Sequence, residues 1–149
     1  MRIPLLLMAL AAAMAGPVRA QTAAPAATAL DTMPAAVVQR FVDAANARDL
    51  AAMSALLAPD VVFARFPGDA VLAQGRDSVE AFYGRMLPRL SPGFRITVAP
   101  RIVEGNLVID QEHFTGTPEE SGSATWAYLV RGGLIHRAWV LVGASAPTP

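Results

Sequence analysis

The sequence predicts a single α+β domain in which three helices lead into a meander of long antiparallel strands. Residues 37–57 and 79–90 carry apolar side chains every three or four positions, which is the period of amphipathic helices. From residue 94 to 142, apolar and polar residues alternate instead, and glycine-containing turns divide this part into strands. The change from one period to the other indicates helices packed against one sheet.

Two helices are predicted before residue 60. The first begins near Pro34, and its apolar stripe consists of Val37, Val38, Phe41, Val42 and Ala45. A break at Arg48–Asp49 separates it from a short second helix, which Asp49 can cap and Pro59 ends. The inner side of the second helix is expected to be Leu50, Met53, Leu56 and Leu57.

The third helix is predicted after a short hairpin. Residues 61–66 form its first strand, and residues 71–73 pair weakly with that strand across the turn at 67–69. Asp77 and Glu80 then have the spacing of a capping box, and Pro88 ends or kinks the helix. The later strands are predicted at 94–102, 107–115, 124–131 and 134–142. Pro100 implies an edge strand or a bulge, because proline cannot donate to a ladder.

The first twenty residues have the pattern of a secretory signal peptide. Arg2 gives a positive start, residues 3–15 are apolar, and small residues precede a cleavage site after Ala20. The apolar run is too short for a membrane span. We therefore expect an exported bacterial protein, periplasmic or secreted, with a flexible leader at 21–32, a folded domain at 33–142 and a flexible tail at 143–149.

The composition excludes several kinds of chemistry. The chain contains neither cysteine nor lysine, so disulfides, thiolate nucleophiles and lysine imines cannot form. Removal of Arg2 and Arg19 leaves 12 − 2 = 10 arginines against 12 acids, without a basic run. Binding to nucleic acid or to an anionic membrane is therefore not expected. Neither a glycine-rich phosphate loop nor metal-ligand spacing is present, so we expect no cofactor and no metal.

Several segments carry a resemblance to a known family. In order, they are VVQRFVDAANARDL, LLAPDVVF, GRDSV, GNLVIDQEHFTG and YLVRGGLIHRAW. The chain resembles the SnoaL-like, ketosteroid-isomerase-like branch of the nuclear transport factor 2-like superfamily, and in particular uncharacterised exported members. This resemblance implies a cone-shaped domain whose curved sheet encloses one pocket, and a homodimer formed through the outer sheet face, where Leu107, Ile109 and Leu129 could supply apolar contact.

The same resemblance implies that residues 108, 110, 112 and 114 face the pocket. Asp110 and Glu112 occupy two of these positions, between Val108 and Phe114. Two acids at i and i+2 on one strand lie about 6–7 Å apart. In a partly dry pocket they cannot both ionise freely, so one should have a raised pKa, which suits general acid–base catalysis. Asp110 and Glu112 are therefore candidate catalytic residues.

Arg65 is the third candidate catalytic residue, expected to reach in from the first strand and to hold the ionised acid or an oxyanion. A buried arginine–carboxylate cluster that only fixes the sheet is the alternative, and Arg101 and Asp69 are assigned to the surface. The resemblance does not extend to the ketosteroid isomerase catalytic set, because the matching positions hold Phe41, Arg65 and Trp126. The arginine and two aspartates of the limonene epoxide hydrolase branch are absent too, because Asp110, Glu112 and Leu141 occupy their places.

A flat apolar wall is expected around the acids. By the implied register, the candidate substrate-binding residues are Phe41, Phe63, Tyr83, Trp126, Tyr128, Arg137 and Trp139. His113 lies on the strand face opposite Glu112, and His136 follows a turn, so both are interpreted as structural or surface residues. The expected partner is a small apolar ligand or substrate.

The functional hypothesis is an exported pocket protein that performs acid–base chemistry of the isomerase, cyclase, dehydratase or epoxide hydrolase type. It would need no cofactor. Two alternatives remain open from the sequence: a non-catalytic protein that binds a small ligand, and a structural or interaction module of the same fold.

Overall fold

The computed structural model describes residues 32–116 and 121–141. In chain order, the helices and strands are α1 Pro34–Ala47, α2 Leu50–Ala55, β1 Leu57–Phe66, β2 Ala70–Gln74, α3 Arg76–Met86, β3 Arg95–Glu104, β4 Leu107–Thr115, β5 Ser121–Arg131 and β6 Leu134–Leu141. The predicted α+β class is confirmed. The predicted signal peptide, the tail and all of the leader except Thr32 lie outside the described residues.

The helices begin and end largely where the sequence predicts. The backbone N–H of Arg48, which has a φ of 58°, closes α1. The Asp49 carboxylate then accepts a hydrogen bond from the Ala52 N–H at 2.9 Å and so caps α2. Helix α2 ends before Leu57, contrary to the prediction, because Leu57 already pairs with Ile135 of β6.

The start of α3 differs from the predicted capping box. Gly75 is the N-cap residue and no side chain caps the helix, so Asp77 lies within the first turn instead of before it. Glu80 accepts a hydrogen bond from the Ser54 hydroxyl at 2.8 Å and thereby joins α3 to α2. A short 3₁₀ turn, Leu87–Arg89, follows α3 at Pro88.

The six strands form one curved, unclosed sheet with the order β2-β1-β6-β5-β4-β3. The β1–β6 pair is parallel and the other pairs are antiparallel. Strand β3 is an edge strand, and its register with β4 shifts between Val98 and Arg101. Both expectations for Pro100, an edge position and a bulge, are therefore confirmed.

One hydrophobic core lies between the helices and the inner face of the sheet. Helix α1 contributes its predicted stripe, and α3 contributes Val79 and Tyr83. The sheet contributes Phe63, Val108 and Tyr128, among others. Burial of these side chains supplies most of the free energy of folding, at roughly 25 cal/mol per Å² of apolar surface. In the part of the chain that the structure describes, no helix has both the length and the apolar character needed to cross a membrane.

Candidate functional site

A cavity of about 260 Å³ opens between α1, α3 and the inner face of the sheet. This volume is slightly below the range of roughly 300–1,000 Å³ that is typical of small-molecule sites. The residues that line it are Phe41, Val42, Ala45, Phe82, Tyr83, Met86, Leu87, Leu90, Phe94, Ile96, Glu112, Phe114, Trp126 and Tyr128. Glu112 is the only charged side chain among these described lining residues.

Strand β4 turns its two acids towards the core, as the sequence predicts. Asp110 is 0% exposed and Glu112 is 4% exposed, whereas His113 on the other face of β4 is exposed. The register agrees with this orientation, because Val108 lies opposite the buried Tyr128 of β5, and Asp110 lies opposite Trp126. Asp110 does not line the cavity and Glu112 does, so only Glu112 can touch a bound molecule.

Asp110 forms a bidentate ion pair with Arg101 of β3. The Arg101 Nε–H donates to one carboxylate oxygen at 2.7 Å, and an NH2 group donates to the other at 2.7 Å. Arg65 is exposed on β1. The expected arginine partner of the acids is therefore corrected from Arg65 to Arg101, whose assignment to the surface was wrong.

The position of each arginine in the sheet explains why Arg101, and not Arg65, binds Asp110. Arg101 follows the bulge at Pro100 and lies directly opposite Asp110 in the ladder, so the two side chains share one face of the sheet. Helix α1 covers the guanidinium, which also donates to the Ala35 carbonyl and to the Gln39 side chain. Arg65 lies near the end of β1, just after a register shift between Phe63 and Ala64 that changes the alternation of the strand, so its side chain is exposed.

Glu112 accepts a hydrogen bond from the Tyr128 hydroxyl at 2.8 Å. The pKa of Glu112 is raised from 4.5 to about 7, chiefly by burial; the Asp110 charge adds to this rise, while the Tyr128 hydrogen bond and the Arg101 charge oppose it. The raised pKa expected for one acid of the pair thus belongs to Glu112. Near neutral pH this side chain exists in both protonated and ionised forms.

Tyr83 brings a second hydroxyl to the cavity. Its side chain is 9% exposed, and burial together with the Glu112 charge raises its pKa, so it stays a neutral hydrogen-bond donor. Burial likewise raises the pKa of Tyr128. The described residues offer Tyr83 ring contacts but no hydrogen-bond partner for its hydroxyl. A polar group of a bound molecule could supply that partner.

Aromatic rings form much of the cavity wall. Phe41 packs edge-on against Tyr83, with ring centroids 5.8 Å apart, and Trp126 stacks on Tyr128 at 6.0 Å. Four of the candidate substrate-binding residues, Phe41, Tyr83, Trp126 and Tyr128, therefore lie in the wall. Phe63 packs against Phe41 and Trp126 from behind, outside the lining.

Arg137 and Trp139 lie on the opposite face of the sheet, so their predicted orientation is corrected. Trp139 pairs with Ala127, on the face opposite Tyr128 and Ala138. Both residues bind one Asp69 oxygen, the Arg137 guanidinium at 3.1 Å and the Trp139 indole N–H at 3.0 Å. The cause is a register shift in which His136 is an extra residue of β6, so that Ile135 and Ala138 face the core instead.

The histidines occupy the peripheral positions that were expected. A ring nitrogen of His113 contacts the Ala99 carbonyl oxygen at 3.0 Å, and His136 lies 3.9 Å from the exposed Asp60 carboxylate. Within residues 32–116 and 121–141, no three histidine or acidic side chains form a group that could hold a metal ion.

Residues 38–138 match the model of a protein family described as the SnoaL-like domain. No curated protein matches the sequence. The fold is similar to that of an uncharacterised cystatin-fold protein from Novosphingobium aromaticivorans, with a TM-score of 0.66 and 19% identity, over 73% of this chain and 97% of the other.

Two further solved structures have the same fold. A ketosteroid isomerase candidate from Kribbella flavida gives a TM-score of 0.62 and 21% identity, over 78% of this chain and 82% of the other. An LEH-like epoxide hydrolase from M. tuberculosis gives a TM-score of 0.59 and 18% identity, over 70% of this chain and 78% of the other. The resemblance inferred from the sequence motifs is confirmed for family and fold; at these identities a shared scaffold does not identify the reaction.

Proposed function

The chain belongs to the SnoaL-like domain family, and we propose that its pocket performs acid–base chemistry on a small, largely apolar molecule. Glu112 exchanges the proton in this proposal. The reaction is of the isomerase, cyclase, dehydratase or epoxide hydrolase type and needs no cofactor. Of the three candidate catalytic residues, Glu112 acts directly, Asp110 acts indirectly and Arg65 takes no part.

The observation that carries this proposal is a titratable carboxyl in an apolar wall. Glu112 has a pKa of about 7 at a place where the other lining residues are aliphatic or aromatic. A general acid–base catalyst works best when its pKa is near the working pH, because both protonation states are then available. An ordinary surface glutamate would be ionised almost completely at neutral pH.

The contacts of Glu112 assign a role to each of its oxygens. Tyr128 donates to Oε1 and fixes the carboxyl plane, which leaves Oε2 to take a proton from the bound molecule or to return one. The Tyr83 hydroxyl can donate to a ligand oxygen on which negative charge develops. The aromatic walls exclude water and hold the apolar part of the molecule.

Proton exchange at carbon tests this role without knowledge of the natural substrate. The probe is 2-tetralone in D₂O: Glu112 would take a proton from the carbon beside the carbonyl, the C–H electrons would pass to the carbonyl oxygen, and deuterium would return from the solvent. We expect the protein to accelerate deuterium incorporation, measured by NMR, and Glu112→Gln to lower the rate on the order of 100-fold or more.

The matched control is Glu104→Gln, the same substitution at an exposed position of β3. This variant should exchange at the wild-type rate. A Glu112→Gln protein that keeps the wild-type rate would exclude Glu112 as the base.

A non-catalytic ligand-binding protein is the second candidate. It is favoured by the absence of the ketosteroid isomerase catalytic side chains, since Phe41, Arg65 and Trp126 occupy the matching positions. Calorimetry, which measures binding, separates the two candidates when it is combined with the NMR exchange assay. Binding of 2-tetralone without exchange above the buffer rate favours the binding protein. Binding with faster exchange favours the enzyme.

Export is also part of the proposal. The N-terminal sequence supports cleavage after Ala20, which would make Gln21 the first residue of the mature protein. Expression of the full chain in a Gram-negative bacterium should yield a periplasmic product with the mass of residues 21–149. A cytoplasmic product of full-length mass would contradict export.

A further inference from the structure

The Arg101–Asp110 pair lies directly beside Glu112 but outside the cavity. Asp110 precedes Glu112 by two residues on β4, and both side chains are on the inner face. The Arg101 guanidinium donates in two directions: Nε and Nη2 donate to Asp110, and Nη1 donates to the Ala35 carbonyl at 3.2 Å and to the Gln39 side chain at 3.0 Å. The pair is thus held between the sheet and α1.

Stability alone accounts poorly for an ion pair at this place. Removing two charges from water costs several kcal/mol per ion, and apolar residues of similar volume often replace such pairs without loss of stability. The β3–β4 ladder is also long, because eight pairs of Cα partners join the strands on the two sides of the Pro100 bulge. The pair therefore needs an explanation beyond joining two strands.

We propose that Arg101 and Asp110 are positioning residues for Glu112, a pair of opposite charges that together keep its carboxyl poised between the protonated and the ionised form. This inference rests on the proposed role of Glu112 as the proton-exchanging group. Neither residue touches the bound molecule, and both act through the field that they create at Glu112.

The groups that face Glu112 come from each surrounding element. Strand β3 contributes Arg101, β4 contributes Asp110, β5 contributes Tyr128 and α3 contributes Tyr83. The lining residues of α1 are the uncharged Phe41, Val42 and Ala45. Asp110 favours the protonated form of Glu112 and Arg101 favours the ionised form. The two effects oppose each other. Removal of the Asp110 charge should therefore lower the pKa of Glu112, and removal of the Arg101 charge should raise it.

The test is an NMR titration of ¹³C-labelled glutamate in the full folded domain. The Glu112 signal is assigned by its loss in Glu112→Gln, and its midpoint is followed from pH 4 to 9. We expect Asp110→Asn to lower the midpoint by about one pH unit, because it removes the negative charge and leaves Arg101 in place. We expect Arg101→Gln to raise it, and Arg101→Lys, which keeps the charge, to restore a midpoint near that of the wild type.

Two outcomes decide the proposal. Opposite shifts in Asp110→Asn and Arg101→Gln, with rescue by Arg101→Lys, support it, because a purely structural role predicts no such pattern. Unchanged midpoints in folded variants overturn it and would mean that the pair only stabilises the register between β3 and β4. If Asp110→Asn does not fold, Arg101→Gln and Arg101→Lys decide alone: equal midpoints in these two variants overturn the proposal. The titration does not depend on turnover, so it remains informative even if the deuterium-exchange assay finds no activity.

Discussion

Glu112 is the residue whose protonation depends most directly on its burial. Its carboxyl is 4% exposed, and the hydrogen bond from Tyr128 offsets only part of the cost of ionising it there. Its pKa is about 7 in the folded chain and near 4.5 in the unfolded chain. The folded state therefore binds more protons than the unfolded state between these two values, so the free energy of unfolding must fall as the pH rises through this window.

Replacing Glu112 by Gln should remove this pH dependence. Glutamine resembles the protonated acid, so the variant should gain stability relative to wild type between pH 5 and 8, by on the order of 3 kcal/mol. Urea unfolding at pH 5 and at pH 8, followed by circular dichroism, measures the gain. Glu104→Gln, at an exposed site, should show no gain. Parallel stability curves for wild type and Glu112→Gln would mean that Glu112 is not protonated in the folded state at pH 5–7.

Loss of the buried Asp110 charge should lower the free energy of unfolding more than loss of an exposed acid that also forms an ion pair. Asp110→Asn leaves Arg101 without its counter-charge beneath α1 and should cost roughly 3 kcal/mol. The matched control is Asp69→Asn, whose ion pair with Arg137 lies in solvent, with Asp69 66% exposed. That substitution should cost less than about 1 kcal/mol. Equal losses, measured by urea unfolding at pH 7, would contradict the difference in burial.

At the scale of elements, short connections determine which side chains reach the cavity. Helix α2 has only six residues, and its first turn depends on the Asp49 cap. By turning the chain at Arg48–Asp49, this helix leads α1 into β1 and fixes the position of Phe41 relative to Phe63, whose rings lie 6.3 Å apart. A marginal helix of this length relies on its cap and on packing more than on intrinsic propensity.

Loss of the Asp49 cap should therefore be measurable. Asp49→Ala should lower the free energy of unfolding by about 1 kcal/mol, because the N–H of Ala52 loses its acceptor. Asp49→Ser keeps an acceptor at the cap and should retain most of the stability. If both variants unfold at the wild-type urea concentration, the cap contributes nothing to the fold.

At the scale of the whole molecule, the sheet separates the cavity from a second face. On the side of the sheet away from the helices, Leu107 of β4 pairs with Leu129 of β5, and Ile109 of β4 pairs with Ala127 of β5. Ala127 in turn pairs with Trp139 of β6. Ile102, opposite Ile109, is 57% exposed. An apolar sheet face of this kind fits the homodimer that we expect, with each copy covering the other's outer face.

The predicted dimer has a simple test. The mature chain should sediment as a dimer at micromolar concentration, and Ile109→Asp should give a folded monomer, because it places a charge within the interface. Val71→Asp is the control, since Val71 is an exposed apolar residue on the edge strand β2, away from Ile109. Sedimentation of the wild type as a monomer would exclude the dimer.

The sequence predicted the parts of the site that depend on local patterns. Strand alternation placed Asp110 and Glu112 on the same face of β4, the family resemblance identified that face as the inner one, and the helical stripe of α1 assigned Phe41 to the core. The errors have a different origin. The extra residue His136 leaves no recognisable signal in the sequence, yet it changes which residues of β6 face inward. The partner of Asp110 depends on the register across the Pro100 bulge, and this pairing is set by tertiary structure.

The two tryptophans of the chain lie on different faces of the sheet. Trp126 stacks on Tyr128 in the cavity wall, and Trp139 binds Asp69 on the outer face. The protein therefore carries one tryptophan in each region for which a role is proposed. Trp139→Phe would leave emission that reports occupancy of the cavity and protonation of Glu112. Trp126→Phe would leave emission that reports contact between two copies, so that ligand binding and self-association could be followed separately without an added dye.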